Sequence, residues 1–477
     1  MSAAPRVQPA RRVALEVIRA VRAEDAYANL LLPARVHRAG LSTADAALAT
    51  ELTYGTLRRS GYYDRVIELV SGRPIARVDP PLRDVLRLGA HQLLSMRVAP
   101  HAAVNEAVLQ AKESGVRSGS GFVNGVLRTI ARTDREEWLN RVLEGTEGED
   151  ERLSVLHSHP AWVVRAFRNA LAAEGRESEL TYLLEADNAP PKVGLVALPG
   201  LGDRSEVGLL PTDFSPLGMV LSSGDPLALP AVRAGTVRVQ DEGSQLAALA
   251  LSRSRPVSLG ERWLDMCAGP GGKAAVLAAD AALGGAALLA NEVLPGRAAL
   301  VQGALDAVPG VHQVVIGDAR RFGTGEEGYF DRILLDAPCT GLGALRRRPE
   351  ARWRKSPDDV AALAPLQAEL LDAAFGALKP GGLLAYVTCS PHLDETRAIV
   401  AAALERHAEL VALDTAALLA EATGGALRDA GVGRAVQLWP HRHGTDGMFI
   451  ALLTKAGGLP AAVRESERGH VRPVRPQ

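Results

Sequence analysis

Two cysteines stand where a chain could present a soft nucleophile. Cys389 lies in Tyr386-Val387-Thr388-Cys389-Ser390-Pro391, and Cys339 in Asp336-Ala337-Pro338-Cys339-Thr340-Gly341. A thiolate adds readily to C6 of a pyrimidine, and that addition makes C5 an enamine-like carbon able to take a methyl group. A free thiol ionises near about pH 8.5, so a catalytic one needs positive charge or hydrogen bonds close by. Lys273 and the arginines after Cys339 are candidates to supply it. Buried packing is the commoner role of a lone cysteine. Here that role would have to hold twice, at two polar, proline-containing strand ends.

The third cysteine, Cys267, belongs to a glycine-rich turn, Cys267-Ala268-Gly269-Pro270-Gly271-Gly272-Lys273, after the strand-like Trp263–Cys267. A structural or backbone-contact role suits it better than reactivity. Glycines there let backbone N–H groups approach a ligand at a helix N-terminus. Glu292 closes the next strand and could accept from ribose hydroxyls; Asp318 closes the third and could accept from an adenine amino group. Asp265 could help hold a sulfonium or amino group. Taken alone, such a turn is a weak signal, since some glycine-rich turns are merely structural. It matches neither G-x-G-x-x-G nor the phosphate-binding G-x-x-x-x-G-K-[ST]. The ordered series of turn, Glu292, Asp318 and Asp336 points to S-adenosylmethionine.

Arg346, Arg347, Arg348, Arg352, Arg354 and Lys355 follow Cys339, with Trp353 among them and Glu350 opposing. A solvated face is the usual meaning of such a run. Beside proposed nucleophiles, it could grip phosphates and stack a base. Pro440-His441-Arg442-His443 offers three further donors to RNA. Two histidines are too few for a metal site, and no metal is expected.

The 477 residues suggest two or three domains. Hydrophobic content of 47% and charged content of 23% are ordinary for a globular chain. Three cysteines argue against a disulfide framework and for a reducing, cytoplasmic setting. No apolar run reaches the length of a bilayer span, and Met1–Arg12 is not followed by a signal-type apolar stretch. Net charge is −1, yet residues 1–135 hold 20 Lys and Arg against 12 Asp and Glu, or +8, which leaves −9 for the rest. That asymmetry suits either a polyanion partner or a solvated arginine-rich surface.

Apolar spacing of three and four in Val13–Val21 and Val85–Leu94 predicts helices, and residues 6–135 read as a bundle. The acidic stretch Glu144–Glu151 reads as a linker. Residues 153–235 read as a small α+β connector, with a helix over Trp162–Leu171 and a strand over Lys192–Leu198. From Thr236 onward, apolar runs alternate with Ala/Leu-rich helices, the pattern of a parallel α/β sheet. The last two runs, Val436–Trp439 and Met448–Leu453, are too close for a crossover and should pair antiparallel.

Asp265–Lys273, Asp336–Gly341 and Thr388-Cys389-Ser390 resemble the motifs of the NOL1/NOP2/Sun family of RNA cytosine-C5 methyltransferases. Val239–Gln245 and Pro440–Phe449 resemble its flanking segments. Val104–Val108 and Phe122–Arg128 resemble the RNA-binding NusB domain. The combination is similar to the bacterial RsmB (Sun, Fmu) group and covers nearly the whole chain. It implies a multidomain fold: an all-α NusB-like bundle (1–143), the α+β connector (153–235), an α/β Rossmann-like class I methyltransferase domain (236–455) and a disordered tail (456–477).

By the same resemblance, Cys389 would be the nucleophile and Cys339 would assist product release. Cys267, Ala268, Gly269, Pro270, Gly271, Gly272, Lys273, Glu292, Asp318 and Asp336 would hold S-adenosylmethionine. The partner would be 16S ribosomal RNA or a ribosomal assembly intermediate, met by a monomer without membrane contact. Gly269-Pro270 departs from the family's frequent Ala-Pro, without expected loss. Other readings are a transfer RNA cytosine-C5 methyltransferase, a non-catalytic RNA-binding or transcription factor of NusB type, and a nicotinamide enzyme.

Overall fold

The computed structural model describes residues 6–457 except 117, 325–326 and 426; the expected tail from 458 onward lies outside the described residues. Among the described residues, eight α-helices and one short 3-10 turn (Ile75–Arg77) between Pro9 and Leu143 form the N-terminal bundle. Val13, Ala14, Val17, Ile18 and Val21 bury one face of the first helix at spacings of three and four, as the sequence predicts. The acidic stretch is only partly a linker. Glu149, Asp150 and Glu151 open the helix Glu149–His157 and pair with Arg165 and Arg168. Acids in a first helical turn are favoured by its exposed N–H groups.

Two further helices, Ala161–Ala172 and Leu180–Asn188, precede a small antiparallel sheet. Its strands β1 (Val193–Ala197), β2 (Leu210–Pro211), β3 (Gly218–Leu221) and β4 (Val237–Val239) lie in the order β2-β3-β1-β4. The sheet therefore takes in Val237–Val239, which the sequence assigns to the catalytic half.

A nine-stranded sheet forms the C-terminal half. Its parallel strands are β5 (Arg262–Asp265), β6 (Ala287–Glu292), β7 (Val311–Ile316), β8 (Phe330–Asp336) and β9 (Leu378–Thr388). Antiparallel to these or to each other run β10 (Leu410–Ala412), β11 (Gly431–Val432), β12 (Ala435–Gln437) and β13 (Phe449–Lys455). The order is β11-β12-β13-β9-β8-β5-β6-β7, with β10 on β13. Ile333, Leu334 and Leu335 are all buried on β8, as a strand covered on both faces requires. The chain reverses its direction of growth between β5 and β8, and the carboxyl ends at such a point form a crevice.

One helix, Pro357–Ala377, is apolar and long enough by length and composition to cross a bilayer, against the expectation that no run qualifies. It covers β8 and β9, with Leu370, Leu371, Ala374 and Ala377 packed in the core around Leu384 and Tyr386.

Candidate active site

Four strand ends bring the predicted chemistry together. Asp265 ends β5, Glu292 ends β6, Asp336 ends β8, and Thr388 ends β9 just before Cys389. The turn after β5 enters the helix Gly272–Gly284 through Gly271, whose φ of 103° favours glycine. Gly269 is a second position where glycine matters. A Cβ there would collide with the Glu292 carboxylate, which folds back to accept from the Gly269 amide at 3.1 Å.

The carboxylates make this pocket a place for a cation. Asp265 is fully buried and neither side-chain oxygen has a hydrogen-bond partner. Burial, and then the nearby charge of Asp336, push its pKa up to about 8. Burial followed by Asp265, Asp336 and Glu292 pushes the Cys267 thiol up, so Cys267 is a poor nucleophile. A positively charged ligand group would satisfy Asp265 and relieve this crowding. Farther along the strand ends, Asn291, Ile316, Gly317, Asp318 and Phe322 line a cavity of about 350 Å³. Asn291 donates to the carbonyls of Met266 and Gly317, tying the ends of β5 and β7. Asp318 sits at the exposed rim, where Arg320 holds its pKa down at about 2. A cavity of mixed lining, with Val315, Ile316 and Phe322 beside Asn291, Asp318 and backbone groups, suits a nucleoside that carries a cation, which is what S-adenosylmethionine presents.

The two thiols meet. Cys339 Sγ and Cys389 Sγ are 3.5 Å apart, both partly exposed. Lys273 Nζ lies 2.7 Å from Asp336; burial opposes its charge, but Asp336, Cys389 and Asp265 together outweigh that and keep the ammonium charged. The hydrogen bond between the two sulfurs, helped by Lys273 and Arg348 and opposed by burial and Asp336, lowers the pKa of Cys389. The same hydrogen bond, then burial, the Cys389 charge and Glu395, raise that of Cys339. The two thiols therefore titrate as one pair, in which Cys389 ionises more readily than Cys339.

The arginine segment is arranged differently from the sequence expectation. Arg346 is buried, reaching Asp446 at 2.7 Å, Asp241 at 2.8 Å and the Gly444 carbonyl at 2.7 Å; Arg347 pairs with the same two aspartates. Arg352 is fully buried and donates to the Arg58, Ser158 and Asp187 carbonyls and to Asn188. Arg354 donates to the carbonyls of Val21, Asp25 and Ala26. Arg352 and Arg354 fasten the bundle and the connector to the catalytic half, while Arg346 and Arg347 brace Asp241 and Asp446 within that half; the four do not form a phosphate-gripping strip. Glu350 adds to the seam by accepting from the Ala28 amide at 3.1 Å. Arg348 is exposed over Tyr27, and Lys355 pairs loosely with Asp359 at 3.4 Å. His441 and Arg442 are likewise taken up by Glu179 and Glu174, while His443 accepts from the Trp439 amide. Among the described residues no cluster of three metal-ligating side chains occurs.

Sequence reasoning missed Asn291, Phe322, Gln367 and Glu395. Asn291 could have been found, because it adjoins Glu292 at a strand end. Nothing local marks Glu395, whose partner Thr340 is 55 residues away.

The family model described as "16S rRNA methyltransferase RsmB/F" matches residues 256–454, and that of the NusB family matches residues 8–132. A protein of Mycobacterium tuberculosis named as a methyltransferase is 47% identical over 454 residues, covering 94% of this chain and 97% of its own. The ribosomal RNA small subunit methyltransferase B of Erwinia tasmaniensis is 31% identical over 456 residues, covering 93% and 98%. The crystal structure titled PH0851 superposes with a TM-score of 0.77 at 23% identity, over 94% of this chain and all of that one, and so shares its fold.

Proposed function

Because the chain belongs to the RsmB/F family of S-adenosylmethionine-dependent rRNA methyltransferases, we propose that it methylates C5 of a cytosine in 16S rRNA, with Cys389 bonding transiently to C6. The observation that carries this reading is the sulfur pair, 3.5 Å apart at the ends of adjacent strands and flanked by Lys273.

Asp265, Asp336 and Glu292 hold the charged end of the cofactor, with the turn Cys267–Lys273 around it. The cavity beside Asp318 receives its nucleoside. When bound, S-adenosylmethionine supplies an electrophilic methyl group. The Cys389 thiolate adds to C6, and the displaced ring electrons make C5 nucleophilic. C5 takes the methyl group while still carrying its proton. That proton must then leave as the C5–C6 double bond re-forms and the Cys389 sulfur departs as thiolate.

Cys339 suits this last step. Its proton is held mainly by the neighbouring Cys389 thiolate. Once Cys389 is bonded to carbon that charge is gone, and burial with Glu395 and Asp336 holds the Cys339 proton more weakly; after its release the Cys339 sulfur is an acceptor for the C5 proton. The N-terminal bundle serves as the RNA-holding part, and exposed Arg348 lies close enough to favour the Cys389 thiolate.

The test is methyl transfer from labelled cofactor to 16S rRNA, followed by bisulfite mapping of the product. Label at one cytosine of 16S rRNA is the expected result. Label confined to transfer RNA would reassign the substrate, and turnover by Cys389→Ala would remove the covalent mechanism.

A further inference from the structure

Glu395 lies on the short turn Leu393–Glu395 after Cys389 and is fully buried. Its Oε1 accepts from the Thr340 amide at 2.7 Å and from Gln367 Nε2 at 3.3 Å; its Oε2 accepts from the Thr340 hydroxyl. Gln367 also donates to the Pro338 carbonyl at 2.9 Å. Both neighbours of Cys339 are thus held by one carboxylate–amide unit. The Glu395 carbonyl accepts from the Tyr386 hydroxyl at 2.8 Å, which ties the turn to β9.

Pinning a loop does not require a charge, and a buried carboxylate is costly. What a charge adds here is a difference between two otherwise similar sulfurs. Cys339 faces Glu395 from the turn, Asp336 from β8 and the Tyr386 hydroxyl from β9. Cys389 faces Lys273 from the helix Gly272–Gly284 and Arg348 from the loop after Cys339, with Asp336 opposing them. Asp336 acts on both sulfurs, so what distinguishes them is Glu395 beside Cys339 and the cations Lys273 and Arg348 beside Cys389.

We propose that Glu395 is a positioning residue for methyl transfer: its buried carboxylate clamps Thr340 beside Cys339 and decides which of the paired sulfurs is the nucleophile, leaving that role to Cys389. This rests on the covalent reading above.

The test is the distribution of iodoacetamide between the two partly exposed thiols, read by peptide mass spectrometry on the full chain. In the wild type Cys389 should react first. Glu395→Gln keeps acceptors and shape but removes the charge, and should shift the ratio toward Cys339 by about tenfold, the equivalent of one pKa unit. Glu395→Asp should restore preference for Cys389. Thr340→Val, which loses a hydrogen bond and keeps the charge, should leave the ratio unchanged. A wild-type ratio in Glu395→Gln with intact cofactor binding overturns the proposal. Should that variant not fold, the wild type decides: Cys339 reacting at lower pH than Cys389 overturns it, and the reverse order supports it. Turnover by Cys389→Ala would instead remove the underlying covalent reading, whatever the ratio.

Discussion

The sulfur pair and the arginine segment Arg346–Lys355 are close in sequence and differ in what their residues do. The cysteines sit at strand ends, where topology alone brings them to a crevice. The arginines sit in a loop and on the short helix Ala351–Arg354 that follows it, where each guanidinium takes whatever acceptors the rest of the chain presents. Those of Arg352 lie 164 to 294 residues away, and those of Arg354 lie 328 to 333 away. Similar-looking chemical signals thus have different reach. One is local to a strand end, and the other is decided by tertiary packing.

The largest effect should come from the first region. Cys389→Ala is expected to lower methyl transfer by about a thousandfold or more while leaving cofactor affinity unchanged. Single-turnover transfer and calorimetry check it.

In the second region, Arg352→Met should act on stability. It leaves several buried carbonyls without donors, at about 1–3 kcal/mol each, so the denaturant midpoint should fall sharply. The salt dependence of RNA binding should stay as it is. A changed salt slope with unchanged stability would return Arg352 to the RNA surface.

A smaller effect belongs to Asp265. An acid whose folded pKa is raised resists ionisation, so its contribution to stability falls as pH rises from the unfolded value, about 4, toward about 8. A cationic cofactor needs the ionised form. Cofactor affinity should therefore strengthen by up to about tenfold per pH unit below pH 8 and level off above it. Asp265→Asn should weaken binding and flatten that profile, as calorimetry across pH would read.

The smallest effect is expected at Arg348, the exposed member of the segment. Arg348→Ala should reduce the salt slope of RNA binding by about one phosphate contact with little change in stability.

The same contrast explains what was legible in the sequence. The parallel strands, the antiparallel last pair, the glycine turn and the carboxylates at strand ends follow from alternation and from where crevices form in such sheets. The seam between bundle and catalytic half does not, because a buried arginine and a solvated one have the same local pattern. Glu395 was hidden for a related reason. Its turn reads as a charged surface segment, and only the return of β9 beside β8 delivers it to Thr340. The short strand Val237–Val239 was misassigned because its partner, β1, lies about forty residues earlier.

The most direct measurement uses Cys339→Ala incubated with 16S rRNA and S-adenosylmethionine, then resolved on a denaturing gel. A slow-migrating protein–RNA band should accumulate and should vanish when Cys389→Ala is added. A band that persists without Cys389, or full turnover with no band at all, would contradict a covalent bond through that sulfur.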